Sequence, residues 1–132
     1  MRRAAVFSLC ALFALRAATA SGQATDEWRS WNQPVEPFRI AENLYYVGAS
    51  DIAAYLITTP EGHILIDGGF VETAPQIEAN IARLGFKAGD VEILLNSHAH
   101  FDHAGGLAAL KKATGAQLFA STADAALLES GG

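Results

Sequence analysis

Cysteine is almost absent from this sequence of 132 residues, in which Cys10 is the only one. It lies in an apolar amino-terminal stretch that we expect to be removed from the mature protein. The mature chain then contains no disulfide, no thiol nucleophile and no thiolate metal ligand. Any metal ion in it must be bound by nitrogen and oxygen atoms.

The chain also lacks an apolar run long enough to cross a bilayer, which takes about 20 residues. Its most apolar segment, residues 4–15, follows the basic pair Arg2 and Arg3 and precedes the small residues AATA. This order is typical of a cleaved secretory signal peptide over residues 1–20, with cleavage after Ala24 as the weaker alternative. We therefore expect a periplasmic protein. A membrane anchor is the competing interpretation, and the shortness of the run disfavours it.

Basic side chains are few, and three of the nine lie within the predicted signal peptide. The mature chain would carry six basic and fourteen acidic side chains, a net charge of −8. Such a chain repels the phosphates of nucleic acids and of anionic lipids. We therefore expect no nucleic-acid partner, and no membrane partner after signal cleavage.

The remaining sequence divides into an arm, residues 21–37, and a domain, residues 38–132. The arm is polar and contains two prolines, which predicts an irregular structure. We expect Trp28 and Trp31 to pin the arm onto the domain; lining a substrate cleft is the alternative. In the domain, the apolar pattern predicts strands at 43–48, 53–59, 63–69, 91–97 and 116–121, and helices at 71–85, 105–115 and 122–132.

Local signals place the turns and helix ends. Residues 59–62 (TPEG) predict a turn between two antiparallel strands. His63 begins the second of these strands and is interpreted as an ordinary half-exposed residue. Gly85 and Gly115 are expected to end helices, and Thr122 is a candidate helix N-cap. The alternation of helix and strand after Val71 predicts a parallel α/β layer.

The stretch NSHAHFDHAGG, residues 96–106, holds three of the four histidines. It follows a predicted buried strand, and α/β sheets place their ligand sites at the carboxyl ends of strands. In an extended segment, His98, His100 and Asp102 would point the same way, and His103 follows where the chain turns. Gly105 and Gly106 are expected to allow a tight turn there. A solvated, histidine-rich turn is the alternative to a metal site.

Imidazole nitrogens and a carboxylate oxygen are suitable ligands for zinc. Asp102 and His103 are adjacent, so four such close ligands would strain a single tetrahedral site. Sharing the four between two ions is easier, with His98 and His100 on the first and Asp102 and His103 on the second. Each ion then lacks at least one protein ligand. The spacing therefore predicts part of a two-metal centre.

The motif SHAHFDHAGG, preceded by ILIDGG, resembles that of the metallo-β-lactamase superfamily, and in particular of the subclass B3 metallo-β-lactamases. The arm WNQPVEPFRIAENLYYVG and the tail LAALKKATGAQLFASTADAALLESGG follow in the order of that family. The resemblance covers about residues 28–132. It implies an αβ/βα sandwich, of which this chain would carry roughly the amino-terminal half as a mixed sheet with flanking helices.

The resemblance also implies two Zn²⁺ ions, a β-lactam substrate and ring opening by a metal-bound hydroxide, which confers antibiotic resistance. In that family the positions of His98 and His100 bind the first zinc, and those of Asp102 and His103 bind the second. Asp102 is also the catalytic candidate, because it would orient the nucleophile. The third ligand of each zinc is expected beyond Gly132, since no later histidine occurs in this sequence.

Asp67, in LIDGG, matches an aspartate that supports the metal loop in this superfamily. Ligating histidines usually need an acceptor for their second N–H group, which agrees with such a role. The alternative is an aspartate that only caps the turn at Gly68 and Gly69.

Two other functions remain open. Glyoxalase II-like thioesterases and lactonases carry the same H-x-H-x-D-H motif, so the motif alone does not distinguish them from a lactamase. A non-catalytic zinc-binding fragment is the third hypothesis, because only two ligands are present for each ion.

Overall fold

The computed structural model describes residues 27–130, which form a six-stranded mixed sheet flanked by helices. The strands lie side by side in chain order. Strands β1 to β4 are antiparallel, whereas β4, β5 and β6 are parallel. The strands are β1 (Phe38–Ala41), β2 (Leu44–Tyr46), β3 (Tyr55–Ile57), β4 (His63–Ile66), β5 (Val91–Leu95) and β6 (Gln117–Phe119).

Four α-helices connect or follow the parallel strands. They are α1 (Ala74–Arg83), α2 (Phe101–Ala104), α3 (Leu107–Thr114) and α4 (Thr122–Ser130), with short 3-10 turns at Val71–Thr73 and Ala88–Asp90. Parallel strands need such crossovers, because a tight turn joins only antiparallel neighbours. The predicted mixed sheet with flanking helices is therefore confirmed.

Glycine and proline end the elements where the sequence predicts. Residues 60 and 61 form the turn between β3 and β4, and Gly62 follows with a φ of 126°. Gly85 and Gly115 have φ values of 87° and 76°, in the left-handed region that ends helices. Both predicted helix ends and the antiparallel turn are thus confirmed.

One face of the sheet packs against α1 and α3. Leu56, Leu65 and Leu94 are paired across β3, β4 and β5, and all three are fully buried. They join Ile77 and Ile81, one helical turn apart on α1, in the main core. The amphipathic pattern of α1 therefore places that helix over the centre of the sheet.

The next residue pair along the sheet points away from these helices. Leu95 and Phe119 are paired across β5 and β6, and they remain 40% and 48% exposed. The prediction of a buried strand at 91–97 therefore holds for one face of β5 only. Within the described residues this face of the sheet carries exposed apolar side chains.

Several local predictions differ from the structure. The arm is helical at residues 27–31 rather than irregular throughout. Thr122 is the first helical residue of α4, and Ser121 caps the helix by accepting a hydrogen bond from the Asp124 amide at 3.1 Å. The predicted signal peptide lies outside residues 27–130, as does the predicted helix end at 131–132. No helix among the described residues is long and apolar enough to span a membrane.

Candidate metal centre

The candidate ligands lie at the carboxyl ends of two neighbouring parallel strands. Ile66, the last residue of β4, pairs with Leu95, the last residue of β5. Asp67 and Asn96 therefore leave the sheet side by side, and the histidine motif follows Asn96. This is the edge at which α/β sheets bind ligands.

The Asp67 carboxylate is the main polar contact of this edge, and the residue is only 5% exposed. It accepts hydrogen bonds from the Ser97 amide (2.8 Å), the Ser97 hydroxyl (2.6 Å) and the Asn96 side-chain amide (3.2 Å). His103 Nδ1 lies 2.8 Å from Asp67 Oδ2. Asp67 therefore connects both ends of the motif, which is more than capping the turn at Gly68 and Gly69.

The contact with Asp67 also determines which nitrogen of His103 is available. When Nδ1 donates to the carboxylate, Nε2 carries the free lone pair that a metal ion requires. Nε2 lies 3.5 Å from Asp102 Oδ2. The two side chains that were predicted to share an ion therefore present their ligand atoms close together.

The other two histidines lie beside His103. The ring centroids of His98 and His103 are 4.0 Å apart, and those of His98 and His100 are 4.6 Å apart. His98 Nδ1 is 3.0 Å from the Ser97 hydroxyl, which leaves its Nε2 free when that contact is a hydrogen bond. The structure thus brings all four predicted ligands to one cluster.

The backbone reaches this arrangement differently from the prediction. His100 is extended, but residues 101–104 form the helical turn α2, so Asp102 does not continue an extended i, i+2, i+4 series. The His100 carbonyl accepts from the amides of His103 (3.0 Å) and Ala104 (2.8 Å). These bonds bring Asp102 and His103 back toward His98.

Gly105 and Gly106 serve a close backbone contact rather than an unusual turn conformation. Their φ values of −56° and −85° are open to any residue. A Cβ atom on Gly106 would overlap the carbonyl oxygen of Gly68, and one on Gly105 would lie 2.7 Å from the Phe101 carbonyl oxygen. The loop after β4 thus packs directly against the start of α3, and it carries Asp67 with it.

The donor set fits a partial two-metal centre. Among residues 27–130, no three His, Cys, Asp or Glu side chains are grouped so that they could hold an ion by themselves. The cluster contains three imidazoles and one carboxylate, which is two donors for each of two ions. Nitrogen and oxygen donors of this kind suit zinc, although they also suit iron and manganese.

Asp124 is a residue that sequence reasoning missed. Its Oδ1 accepts a hydrogen bond from the amide of Ala99, between His98 and His100, at 3.1 Å. The hydroxyl of Ser121 and the amide of Ala99 hold the pKa of Asp124 below its usual value, so the carboxylate is ionised at neutral pH. The capping spacing S-x-x-D at 121–124 marks the helix start, but it does not reveal the contact with the distant loop.

An open cleft of about 500 Å³ lies beside the motif. Its apolar walls include Trp28, Phe70 and Phe101, and the Trp28 and Phe101 ring centroids are 5.0 Å apart. Trp31 packs instead against the small core cluster that contains Phe70. The two tryptophans therefore divide the two predicted roles: Trp31 pins the arm, and Trp28 lines a cleft.

A family model described as the metallo-beta-lactamase superfamily matches residues 47–131. The chain belongs to this superfamily. Solved structures of subclass B3 enzymes are similar to it. BJP-1 of Bradyrhizobium japonicum is 50% identical with a TM-score of 0.74, and the match covers 76% of this chain and 38% of that one. MEM-A1 from a soil metagenome library is 53% identical with a TM-score of 0.70, over 71% and 36%.

Curated proteins with a similar sequence carry other names. A UPF0173 metal-dependent hydrolase of Cupriavidus taiwanensis is 33% identical over 90% of this chain and 39% of its own length. An N-acyl homoserine lactonase of Bacillus cereus is 33% identical over 39% of this chain and 30% of its own length. The chain thus spans two fifths or less of the length of each of these proteins. Together with the family match, these names support a metal-dependent hydrolase of this superfamily.

Proposed function

We propose that this chain is part of a subclass B3 metallo-β-lactamase that uses two zinc ions to hydrolyse penicillins, cephalosporins or carbapenems. The observation that carries the proposal is the similarity to B3 enzymes. About half of the aligned residues are identical, and the alignments cover some three quarters of the chain. The intact HAHFDH sequence at residues 98–103 supports it. The activity would confer resistance to these antibiotics.

The proposed ligand assignment is the one that the resemblance of the motif implies. His98 and His100 would bind the first zinc, and Asp102 and His103 the second. Asp67 would fix the ring of His103, because its carboxylate lies 2.8 Å from Nδ1 and leaves Nε2 for the ion. Removing such an outer contact typically lowers metal affinity about 10- to 100-fold.

The zinc ions and the protein side chains would contribute different parts of the chemistry. Zinc, when bound, supplies Lewis acidity toward a carbonyl oxygen and lowers the pKa of water. Asp102 would accept a hydrogen bond from the attacking water and orient it. Trp28 and Phe101 would provide an apolar wall that excludes bulk water from the substrate. We propose direct attack by water, without a covalent enzyme intermediate.

The test is an assay of the full-length gene product with nitrocefin and imipenem, with and without a metal chelator. We expect turnover of at least one of these substrates and its loss when the chelator is present. Restoration by added Zn²⁺ but not by added Fe²⁺ or Mn²⁺ identifies the metal. Lactam hydrolysis that persists after complete metal removal would contradict the proposal.

A lactonase or thioesterase of the same superfamily is the second candidate. The match to the Bacillus cereus lactonase favours it, as does the resemblance of the motif to glyoxalase II-like enzymes. An acyl homoserine lactone and a glutathione thioester therefore belong in the same assay. Chelator-sensitive cleavage of either one, without lactam turnover, would replace the first candidate by the second.

We also propose export to the periplasm, on the basis of the pattern over residues 1–20. The mature protein would meet its small-molecule substrate there, free of membrane and nucleic acid. Cell fractionation followed by amino-terminal sequencing tests this. We expect a periplasmic product that starts at Ser21; a cytoplasmic product that retains Arg2 and Arg3 would contradict it.

A further inference from the structure

The segment that joins the first two candidate ligands is attached at three points. Before it, Ser97 is held by the Asp67 carboxylate. After it, the His100 carbonyl accepts from the amides of His103 and Ala104 in α2. Between these points, residues 98–100 belong to no helix or strand, and the Ala99 amide donates to Asp124 Oδ1 at 3.1 Å.

The Asp124 carboxylate is itself held in place by the start of α4. The Ser121 hydroxyl donates to Oδ2 at 2.6 Å and accepts from the Asp124 amide at 3.1 Å. The Ser121 carbonyl accepts from the Ala125 amide at 2.8 Å, as at the first turn of a helix. The acceptor for Ala99 is therefore fixed by a helix rather than by a freely rotating side chain.

We propose that Asp124 is a positioning residue for the metal centre, which fixes the backbone between His98 and His100 so that both imidazoles reach the same ion. The inference rests on the proposed metal-dependent function. A rotation of the peptide at Ala99 would move both rings, because each is one residue away from it. The acceptor contributed by α4 opposes that rotation.

The hydrogen bond predicts a graded response in three variants of the full-length gene product. Asp124→Ala removes the acceptor of the Ala99 amide and the acceptor of the Ser121 hydroxyl, and it keeps the backbone amide that Ser121 caps. Asp124→Asn keeps an oxygen that can accept from the Ala99 amide, so it should restore much of the loss. Ser121→Ala removes the helix cap and the hydroxyl that holds Asp124 Oδ2, but it leaves Oδ1 to accept from Ala99, so it measures the loss of the cap and of that support without loss of the acceptor.

The first measurement is metal affinity, with Co²⁺ as the spectroscopic probe. We expect Asp124→Ala to weaken binding of the ion at His98 and His100 about 10-fold or more and to change its absorption bands. Asp124→Asn should stay close to the unaltered protein. Ser121→Ala should lose less affinity than Asp124→Ala, because its carboxylate keeps the bond to Ala99 and loses only the hydroxyl that orients it. The second measurement is hydrogen exchange over residues 97–100, which should be fastest in Asp124→Ala, with or without metal.

The outcomes separate this inference from the proposed function. Equal Co²⁺ affinity and equal exchange in Asp124→Ala and Ser121→Ala would overturn the positioning role, whatever reaction the enzyme catalyses. The expected graded loss in a protein that hydrolyses lactones but no lactams would support the positioning role and refute the lactamase. An unaltered protein that binds no metal would overturn both.

Discussion

At the scale of single residues, Asp67 decides how the candidate centre is built. It is a buried carboxylate with a φ of 64°, a conformation that aspartate and asparagine tolerate better than most residues. Sequence reasoning could anticipate its contact with a histidine, because ligating imidazoles need an acceptor. It could not anticipate the three bonds to Asn96 and Ser97, since these depend on the register of β4 against β5.

Replacing this carboxylate should weaken the metal centre. Asp67→Asn tolerates the positive φ and has nearly the same volume, but it removes the charge that the Ser97 and His103 donors face. We expect zinc affinity to fall about 10- to 100-fold in the full-length gene product. Chelator-competition titration measures this. Asp51→Asn, at an exposed aspartate, is the control and should leave the affinity unchanged.

The two tryptophans allow a second test at this scale. Trp28 lines the cleft and Trp31 packs into a core cluster, so their removal should affect different quantities. We expect Trp28→Ala to raise KM up to about 10-fold, as the loss of one aromatic contact would, with little change in thermal stability. Trp31→Ala should lower stability first. Steady-state kinetics and thermal unfolding check the pair, and equal effects of both variants on KM would contradict the division of roles.

At the scale of elements, the sequence pattern predicts the order of strands and helices well, and it predicts best the two carboxyl-terminal helix ends at Gly85 and Gly115. Glycine and the i, i+4 spacing on α1 are local signals, and local signals are independent of distant contacts. The helical turn α2 was missed because a four-residue helix inside a histidine-rich stretch has no periodicity of its own. The hydrogen bond between the Ala99 amide and Asp124 was also missed. It joins residues 25 positions apart, and no local signal indicates such a contact.

The contact between the loop after β4 and the start of α3 provides an element-scale prediction. Gly106→Ala places a methyl group on the Gly68 carbonyl oxygen, and backbone cannot move aside as a flexible side chain can. We expect a loss of about 3 kcal/mol in the free energy of unfolding, the upper end for overpacking. Gly89→Ala is the matched control, because nothing lies within 4 Å of its new methyl group.

Denaturant unfolding of the two variants measures this difference. Gly89→Ala should be neutral or slightly stabilising, since it only reduces the freedom of the unfolded chain. Equal stability of Gly106→Ala and the unaltered protein would show that the loop and α3 are not in backbone contact. Asp67 would then lack the support that we ascribe to this packing.

At the scale of the whole molecule, the described residues contain two ligands for each proposed ion and an exposed apolar row at Leu95 and Phe119. Two ligands give a weak site, because structural and catalytic zinc sites use at least three protein ligands. We therefore expect the 132-residue product by itself to bind zinc weakly. Isothermal titration of that product tests this, and tight binding of two zinc ions would contradict it.

The most direct test of the central claim is the zinc content of the full-length gene product, compared with that of His103→Ala. The account predicts two zinc ions per chain in the unaltered protein and one in the variant. The remaining ion should be lost when His98 is also replaced by alanine. Equal zinc content in all three proteins would contradict the assignment of residues 98–103 as the metal centre.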